Sequence, residues 1–309
     1  MKTYFLWLSK LLTLIVVFVF VLPIVFFSAI AVVGSTVGPA TPEVSKYKNP
    51  HTVAVLELNG AIMKSREIIK NLKKQVDNDS VKGIVLRIDS PGGAVAPSQE
   101  IYEAVKTFKK EKPIVVSMGS VAASGGLYAS LGASRVFAQE GTLTGSIGVI
   151  MQFPNFSAIA DKLGFTMTTI KSGPYKDVGN GFRTMSDFER EYLQETVMDV
   201  RSQFVNAIVE GRGLPREKVE KIADGRIFIG TYAREIGLVD EIGGVLEAAH
   251  SVFELLDEPL GEGEKPYIVY PMEKYEVFKK LLGAVSERTL KLLSTPHTAS
   301  SEVRLLFMM

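Results

Sequence analysis

Cysteine is missing from the chain altogether. That absence removes disulfides, thiolate nucleophiles and cysteine-ligated zinc together, and it leaves the redox compartment open. Histidine is scarce: His51, His250 and His297 are the whole supply in 309 residues. Charge of one sign is lacking too. With 35 Lys and Arg against 34 Asp and Glu, the net charge is +1, so no basic field invites nucleic acid. No internal repeat is visible. What the chain has in quantity is apolar residue, 46% against 22% charged, the composition of a folded protein. Its length suits one large domain or two small ones.

The N-terminal part carries a long uncharged run, "LLTLIVVFVFVLPIVFFSAIAVV" over residues 11–33. As a helix it spans a hydrocarbon core of about 30 Å with some tilt. Lys2 and Lys10 precede it, and the nearest following cations are Lys46 and Lys48. The positive-inside rule therefore expects a cytoplasmic N-terminus, a bilayer anchor through residues 11–33 and an extracytoplasmic remainder. The competing reading is a cleaved signal peptide, for which Ala29-Ile30-Ala31 has the small-x-small form; the run is longer than an ordinary signal-peptide core.

Residues 34–50, "GSTVGPATPEVSKYKNP", read as a semi-extended linker. "TVAVLELNG" then predicts a buried strand, residues 65–76 a helix, "VKGIVLRIDS" a strand, residues 97–109 a helix and "KPIVVSM" a third strand. The nearly continuous apolar strands suit a parallel sheet covered on both faces. Ligand sites in such sheets lie beyond the carboxyl ends of strands, where "DSPGGAV" and "GSVAASGGLYAS" both fall. Further on, "SRVFAQEGTLTGSIGVIM" reads as a strand, a glycine-rich loop and a strand. "FSAIADKLGF" reads as a helix and "TMTTIKSG" as a strand. Ser186-Asp187-Phe188-Glu189 is a capping box opening a long helix that ends near Gly211 or Gly213. Residues 258–265 are a turn-rich break, and residues 272–293 an amphipathic helix.

Ser124 stands among Ala122, Ala123, Gly125 and Gly126. This is either a close-packed turn or a nucleophile with room around it; Ala-x-Ser-x-Gly is a relaxed form of the nucleophile elbow. A serine needs a base. His51 lies in the linker, His297 follows Pro296 and His250 sits in a helical stretch, so a histidine triad is disfavoured. A lysine base near neutral pH needs its pKa lowered by about 3 units, or about 4 kcal/mol, which burial supplies. Most lysines lie on charged helix faces; Lys171 and Lys176 of "IKSGPYKDVGN" remain. "SPGG" turns sharply and offers N–H donors for an oxyanion, at Gly93 and, second, at Gly125. Ser146 and Ser172 are available to orient a lysine.

The pieces "IDSPGG", "SMGSVAASGGLYA", "GTLTGSIGV" and "IKSGPYKD", in that order, resemble the signal peptide peptidase A family of membrane-anchored serine proteases. The likeness continues through "GRIFIGTYAREIGLVDEIGG" and covers about residues 51–256. It implies a ClpP/crotonase-type α/β fold, a spiral of ββα units, in the short, single-copy form. By motif, Ser124 is the implied nucleophile and Lys176 the base, preferred over Lys171 by the preceding aromatic Tyr175. Ser146 is implied to orient the lysine and Gly93 to donate to the oxyanion. Leu127 departs from the aromatic common after the double glycine and is expected to tune the pocket. The resemblance implies no cofactor and no metal. Its substrates are remnant signal peptides and other hydrophobic peptides, and its assembly is a homo-oligomeric ring in which neighbours share each site. The domains so expected are 1–33 N-terminus and anchor, 34–50 linker, 51–258 protease domain and 259–309 amphipathic helix and flexible apolar tail. That tail, "VRLLFMM", is expected to be able to enter the protein's own groove. The rivals are a crotonase-type acyl-CoA enzyme on the same fold and a non-catalytic membrane scaffold.

Overall fold

A computed structural model describes Lys10, residues 48–271 and the strand Leu306–Phe307. Met1–Lys46 and Tyr47–Met309 are separate compact units. The expected anchor at 11–33 and amphipathic helix at 272–293 lie outside the described residues, as does nearly all of the linker. Among the described residues no helix is long and apolar enough to cross a membrane.

The second unit runs β1 (Thr52–Asn59), α1 (Arg66–Val76), β2 (Gly83–Ser90), β3 (Gly93–Ala94), α2 (Val95–Phe108), β4 (Ile114–Ala123), α3 (Gly125–Ser130), β5 (Arg135–Ala138) and β6 (Leu143–Gly145). It continues with α4 (Ser157–Lys162), α5 (Asp187–Arg212), α6 (Arg216–Glu220), β7 (Ile227–Ile229), α7 (Gly230–Glu235), β8 (Glu241–Ile242), α8 (Val245–Leu255), β9 (Tyr267–Val269) and β10 (Leu306–Phe307). The main sheet has the order β7-β6-β4-β2-β1-β9, with β5 and β8 branching from β4. Every pairing in it is parallel except β6 with β7.

The apolar strands are explained by two covered faces. Val53, Val55, Val85, Val115 and Phe137 pack on Ala248, Ala249, Val252 and Phe253 of α8. The alternate residues Ile84, Leu86, Ile88, Val116 and Met118 meet Leu72, Ile101, Val105, Phe204 and Ile208 on the other face. Tyr128 of α3 is held there between Tyr102 and Phe204, at ring-centroid distances of 5.4 and 4.9 Å.

Strand β4 carries the site. Its first half pairs with β5 through Val115–Ser117, and its second half with β6 through Val121–Ala123. Between them the register against β2 steps: Ile88 faces Met118, but Ser90 faces Ala122. The extra residues form a bulge, which re-aims a strand. The Asp89 carboxylate accepts the Val121 N–H at 3.1 Å and fixes the step.

Two expectations need correction. The segment "TMTTIKSG" is not a strand: residues 166–171 have no regular structure and Ile170 is 97% exposed. Its threonines and Ile170 suit a strand, but among the described residues it has no neighbouring strand to bond. Leu127 does not line a pocket either, because it is wholly buried in the main core. Sequence reading also missed β9, three residues beyond the turn-rich break that extend the sheet from β1.

Candidate active site

β4 ends at Ala123 and α3 begins at Gly125, so Ser124 alone makes the turn. Its backbone has φ +52° and ψ −115°, a region a non-glycine residue adopts at a cost of about 1–3 kcal/mol. Such strain marks the sharp strand-to-helix elbow that projects a nucleophile. The Ser124 N–H donates to Gly145 O at 2.8 Å, and the Tyr128 N–H donates back to Ser124 O at 2.8 Å. Its side chain is different. The Ser124 hydroxyl is buried and has no hydrogen-bond partner among the described residues. A buried, unpaired hydroxyl costs about 1–3 kcal/mol and calls for an explanation.

The small residues around it are packed against the "SPGG" turn. A Cβ on Gly125 would lie 2.5 Å from Ser98 Oγ and 3.2 Å from Gly93 N, and one on Gly126 would lie 2.9 Å from Ser90 O. The close-packed reading of the motif therefore holds: the glycines are required by packing, and that packing brings Gly93 beside the serine elbow. Ser98, which sequence reading passed over, is tied to Ala94 O at 2.9 Å and fills the space behind Gly125. Gly93 itself is clamped by Ile62. Ile62 N–H donates to Gly92 O and Ala94 N–H donates to Ile62 O, both at 2.8 Å. Alternation along the strand then turns the Gly93 N–H and C=O to the opposite edge. Gly125 is the first residue of α3, a position whose N–H has no intrahelical acceptor.

Ser146 adjoins this centre. It follows Gly145, whose carbonyl holds Ser124, and its own N–H donates to Arg226 O at 2.8 Å. It is buried and also has positive φ, +50°. Ser124, Gly93, Gly125 and Ser146 are thus brought together.

Lys176 is not joined to them within one chain. It is exposed and makes no hydrogen bond to Ser124. Its loop is nevertheless held on both sides. Tyr175 stacks on Phe188 and Tyr192 of α5, each at 4.7 Å. Asp177 bonds Arg183 at 2.9 Å and Lys171 at 2.5 Å. Lys171, the rival base, is therefore engaged as the partner of a carboxylate. Arg183 also grips Glu189, which closes the capping box of α5 onto Ser186. Of the histidines, already disfavoured as bases, His51 stacks edge-on against Phe253 at 5.6 Å just before β1, at the end of the strands away from Ser124. His250 is exposed on α8, and His297 lies outside the described residues.

Hydrogen bonds from Arg183, then from Lys171, hold the Asp177 carboxyl well below its usual range. Arg183, then the Ser186 N–H, holds Glu189 at about 2 instead of 4.5. A depressed folded value gives stabilisation that is complete above the ordinary carboxylate range and is lost as pH falls through the folded value. The aromatic cluster around Tyr175 is thus expected to survive mild acid and to loosen as pH drops from about 4 toward 2. In Arg183→Gln the loss is expected to move up toward pH 4.5, the ordinary Glu189 value. Near-UV circular dichroism of the Tyr175 cluster reads both; coincident acid profiles would refute the assignment.

Around this loop the surface is apolar. Ile159, Leu163, Phe165, Met167 and Ile170 are all at least half exposed, and an apolar recess is lined by Phe156, Ile159, Ala160, Leu163, Phe165 and Phe182.

The sequence profile of peptidase family S49 matches residues 106–257, and that of Clp protease matches residues 53–141. The mixed α/β domain is therefore ClpP-like. A Synechocystis sp. protein named as a protease is 42% identical over 192 residues, 62% of this chain and 69% of that one. An Enterococcus faecium protein named as signal peptide peptidase SppA is 41% identical over 188 residues, 60% of this chain and 55% of the relative. The chloroplastic serine protease SPPA of Arabidopsis thaliana is 30% identical over 220 residues, 71% of this chain but 32% of the relative.

Proposed function

Since the chain belongs to peptidase family S49, among signal peptide peptidase A relatives, we propose that it is a membrane-anchored serine endopeptidase with a Ser124–Lys176 dyad shared between neighbouring copies. The observation that carries this reading is the strained, buried Ser124 with an unpaired hydroxyl, set beside the Gly93 N–H. An unreactive serine needs neither feature.

In this reading Ser124 Oγ attacks a peptide carbonyl while the Lys176 amine takes its proton. Lys176 comes from an adjoining subunit, and the exposed apolar surface beside its loop is what that subunit covers. Ser146 orients the amine. The Gly93 N–H, with Gly125 second, stabilises the oxyanion, an effect worth about 2.7–4 kcal/mol per donor in serine proteases. The proton then passes to the leaving amine, and water releases the acyl group. Substrates are extended apolar peptides, including remnant signal peptides, delivered at the bilayer by residues 11–33, with the catalytic unit extracytoplasmic.

The test is labelling of the detergent-solubilised full chain with a fluorophosphonate, followed by peptide mapping, beside hydrolysis of a fluorogenic apolar peptide. Adduct on Ser124 and turnover of the peptide are expected. No adduct and no turnover in an assembled oligomer would sink the peptidase reading in favour of an acyl-CoA enzyme or a scaffold.

A further inference from the structure

Lys176 stands on an excursion with almost no core of its own. Between Met151 and Phe188 only Ala160 is buried. Stacking of the half-exposed Tyr175 ring on α5 is one link between this excursion and the body. Arg183 is a second, and it is polar. Its Nε donates to Asp177 Oδ2 at 2.9 Å and its Nη2 to Asp177 O at 3.1 Å. Asp177 follows Lys176 directly, so the lysine is held through its neighbour's side chain and main chain together. From the same fork Nη1 donates to Glu189 Oε2 at 2.8 Å and Nη2 to Glu189 Oε1 at 2.5 Å. Glu189 is buried, and its carboxylate also takes the Ser186 N–H at 2.9 Å, which fixes it in the first turn of α5. Exposed ion pairs contribute little, but a bidentate pair on a buried carboxylate is of the stronger kind. α5 carries this hold into the core. Phe204, about 18 Å beyond Tyr192 at 1.5 Å per residue, packs on Tyr128 of α3, the helix that follows Ser124. α5 is therefore a strut. One end packs behind the serine elbow, the other bears the lysine loop, and Arg183 is the joint between loop and strut.

We propose that Arg183 is a positioning residue for the lysine base, locking the Asp177 peptide, and with it Lys176, onto the first turn of α5. This role rests on the Ser124–Lys176 reading above. Arg183 touches neither substrate nor Ser124 in it and acts only through Lys176. Arginine suits the task because its planar fork spans two carboxylates and a carbonyl at once, which the single ammonium of a lysine does not. The fork also leaves no charge stranded: the buried Glu189 carboxylate would otherwise lack its cation. A loop without a core drifts once the joint is cut, and a base misplaced by about 1 Å costs on the order of 10²-fold in rate.

The detergent-solubilised full chain, assayed with a fluorogenic apolar peptide and a fluorophosphonate, tests this. Arg183→Ala is expected to lose about 10²-fold in kcat with KM within about twofold, and to label Ser124 more slowly in proportion. Added methylguanidinium is expected to raise the kcat of Arg183→Ala at least about tenfold, and ammonium at the same concentration to leave it unchanged. A variant that is merely less stable would not respond to the shape of the cation. Arg183→Lys, a cation without the fork, is expected to stay at least about tenfold below wild type. Glu189→Gln keeps the capping box, which glutamine also closes, but weakens the grip on Arg183. Its smaller loss is expected to vanish in the Arg183→Ala background, as for two residues of one joint. Arg190→Gln is the charge control: Arg190 is exposed in the same turn of α5 and has no ion pair among the described residues, so wild-type kcat is expected. Wild-type kcat in Arg183→Ala overturns the inference and leaves the peptidase reading standing. So does a lowered kcat that methylguanidinium does not raise and to which Glu189→Gln adds in full. If Arg183→Ala fails to assemble, wild-type kcat in both Arg183→Lys and Glu189→Gln overturns it equally. An assembled wild type with no adduct and no turnover overturns the peptidase reading and this role with it.

Discussion

Ser124→Ala and Lys176→Ala are each expected to lose at least about 10⁴-fold in kcat, and a 1:1 mixture reassembled from dissociated subunits to regain about a quarter of wild-type activity. The first half follows from chemistry: without the hydroxyl no acyl-enzyme forms, and without the amine the hydroxyl keeps its proton. The second half follows from geometry. Ser124 is wholly buried and unpaired while Lys176 is exposed, held by Tyr175 on one side and Asp177 on the other. If the site is completed by a neighbour, half the sites in a mixed assembly keep the serine, and half of those meet an intact lysine. The rate on a fluorogenic apolar peptide before and after reassembly is the measurement. Activity no higher than that of the separate variants would show that both groups act within one chain. Lys171→Ala serves as the contrast. Its amine bonds Asp177 at 2.5 Å, so its removal is expected to cost less than about tenfold.

Gly93→Ala carries the other large effect. The added Cβ would fall 2.2 Å from Ile62 O and 2.5 Å from Ile62 N, main-chain atoms that cannot swing aside. Strand β3 must shift, and the N–H that stabilises the oxyanion shifts with it. We expect kcat to fall about 10²–10³-fold, the usual loss for one oxyanion donor. β3 is two residues long and lies outside the main sheet, so global stability is expected to change far less than kcat. Gly141→Ala is the control: nothing lies within 4 Å of its added Cβ, and activity is expected to stay at the wild-type level. Equal kcat in wild type and Gly93→Ala would remove Gly93 from the mechanism; thermal melts of all three proteins separate this from unfolding.

The sheet was legible because its strands are buried on both faces. Thr52–Asn59 and Gly83–Ser90 are nearly continuous apolar runs, broken only near their ends by Glu57 and Arg87, and such runs between helices have few other uses. The capping box at Ser186 was legible for a local reason: its bonds close within four residues. The site was legible as motifs, but not as an arrangement. Nothing in the sequence around Gly125 says that Ser98 lies behind it, since that contact depends on how α2 leaves β3. β9 escaped because three residues give no period to read; only its pairing with β1 defines it. The error at "TMTTIKSG" has the opposite cause. There the β-branched composition suits a strand, but a strand exists only by hydrogen bonding to a neighbour, and this one has none among the described residues. Leu127 misled because position in a motif does not tell which way a helix faces: α3 turns it inward.

Strand β4 changes neighbours at the step opposite Asp89, and this gives the molecule two seams of different character. Chain added after β8 would enter beside β5, which pairs with Val115–Ser117 behind the step, without turning the elbow. The other side has no such slack. Gly145 holds Ser124 and Arg226 holds Ser146 through single main-chain bonds, so one residue gained or lost within β6 or at the start of β7 would displace both serines. Lineages that diverge from this chain are therefore free to vary in length along the first seam, whereas along the second they inherit the spacing whole.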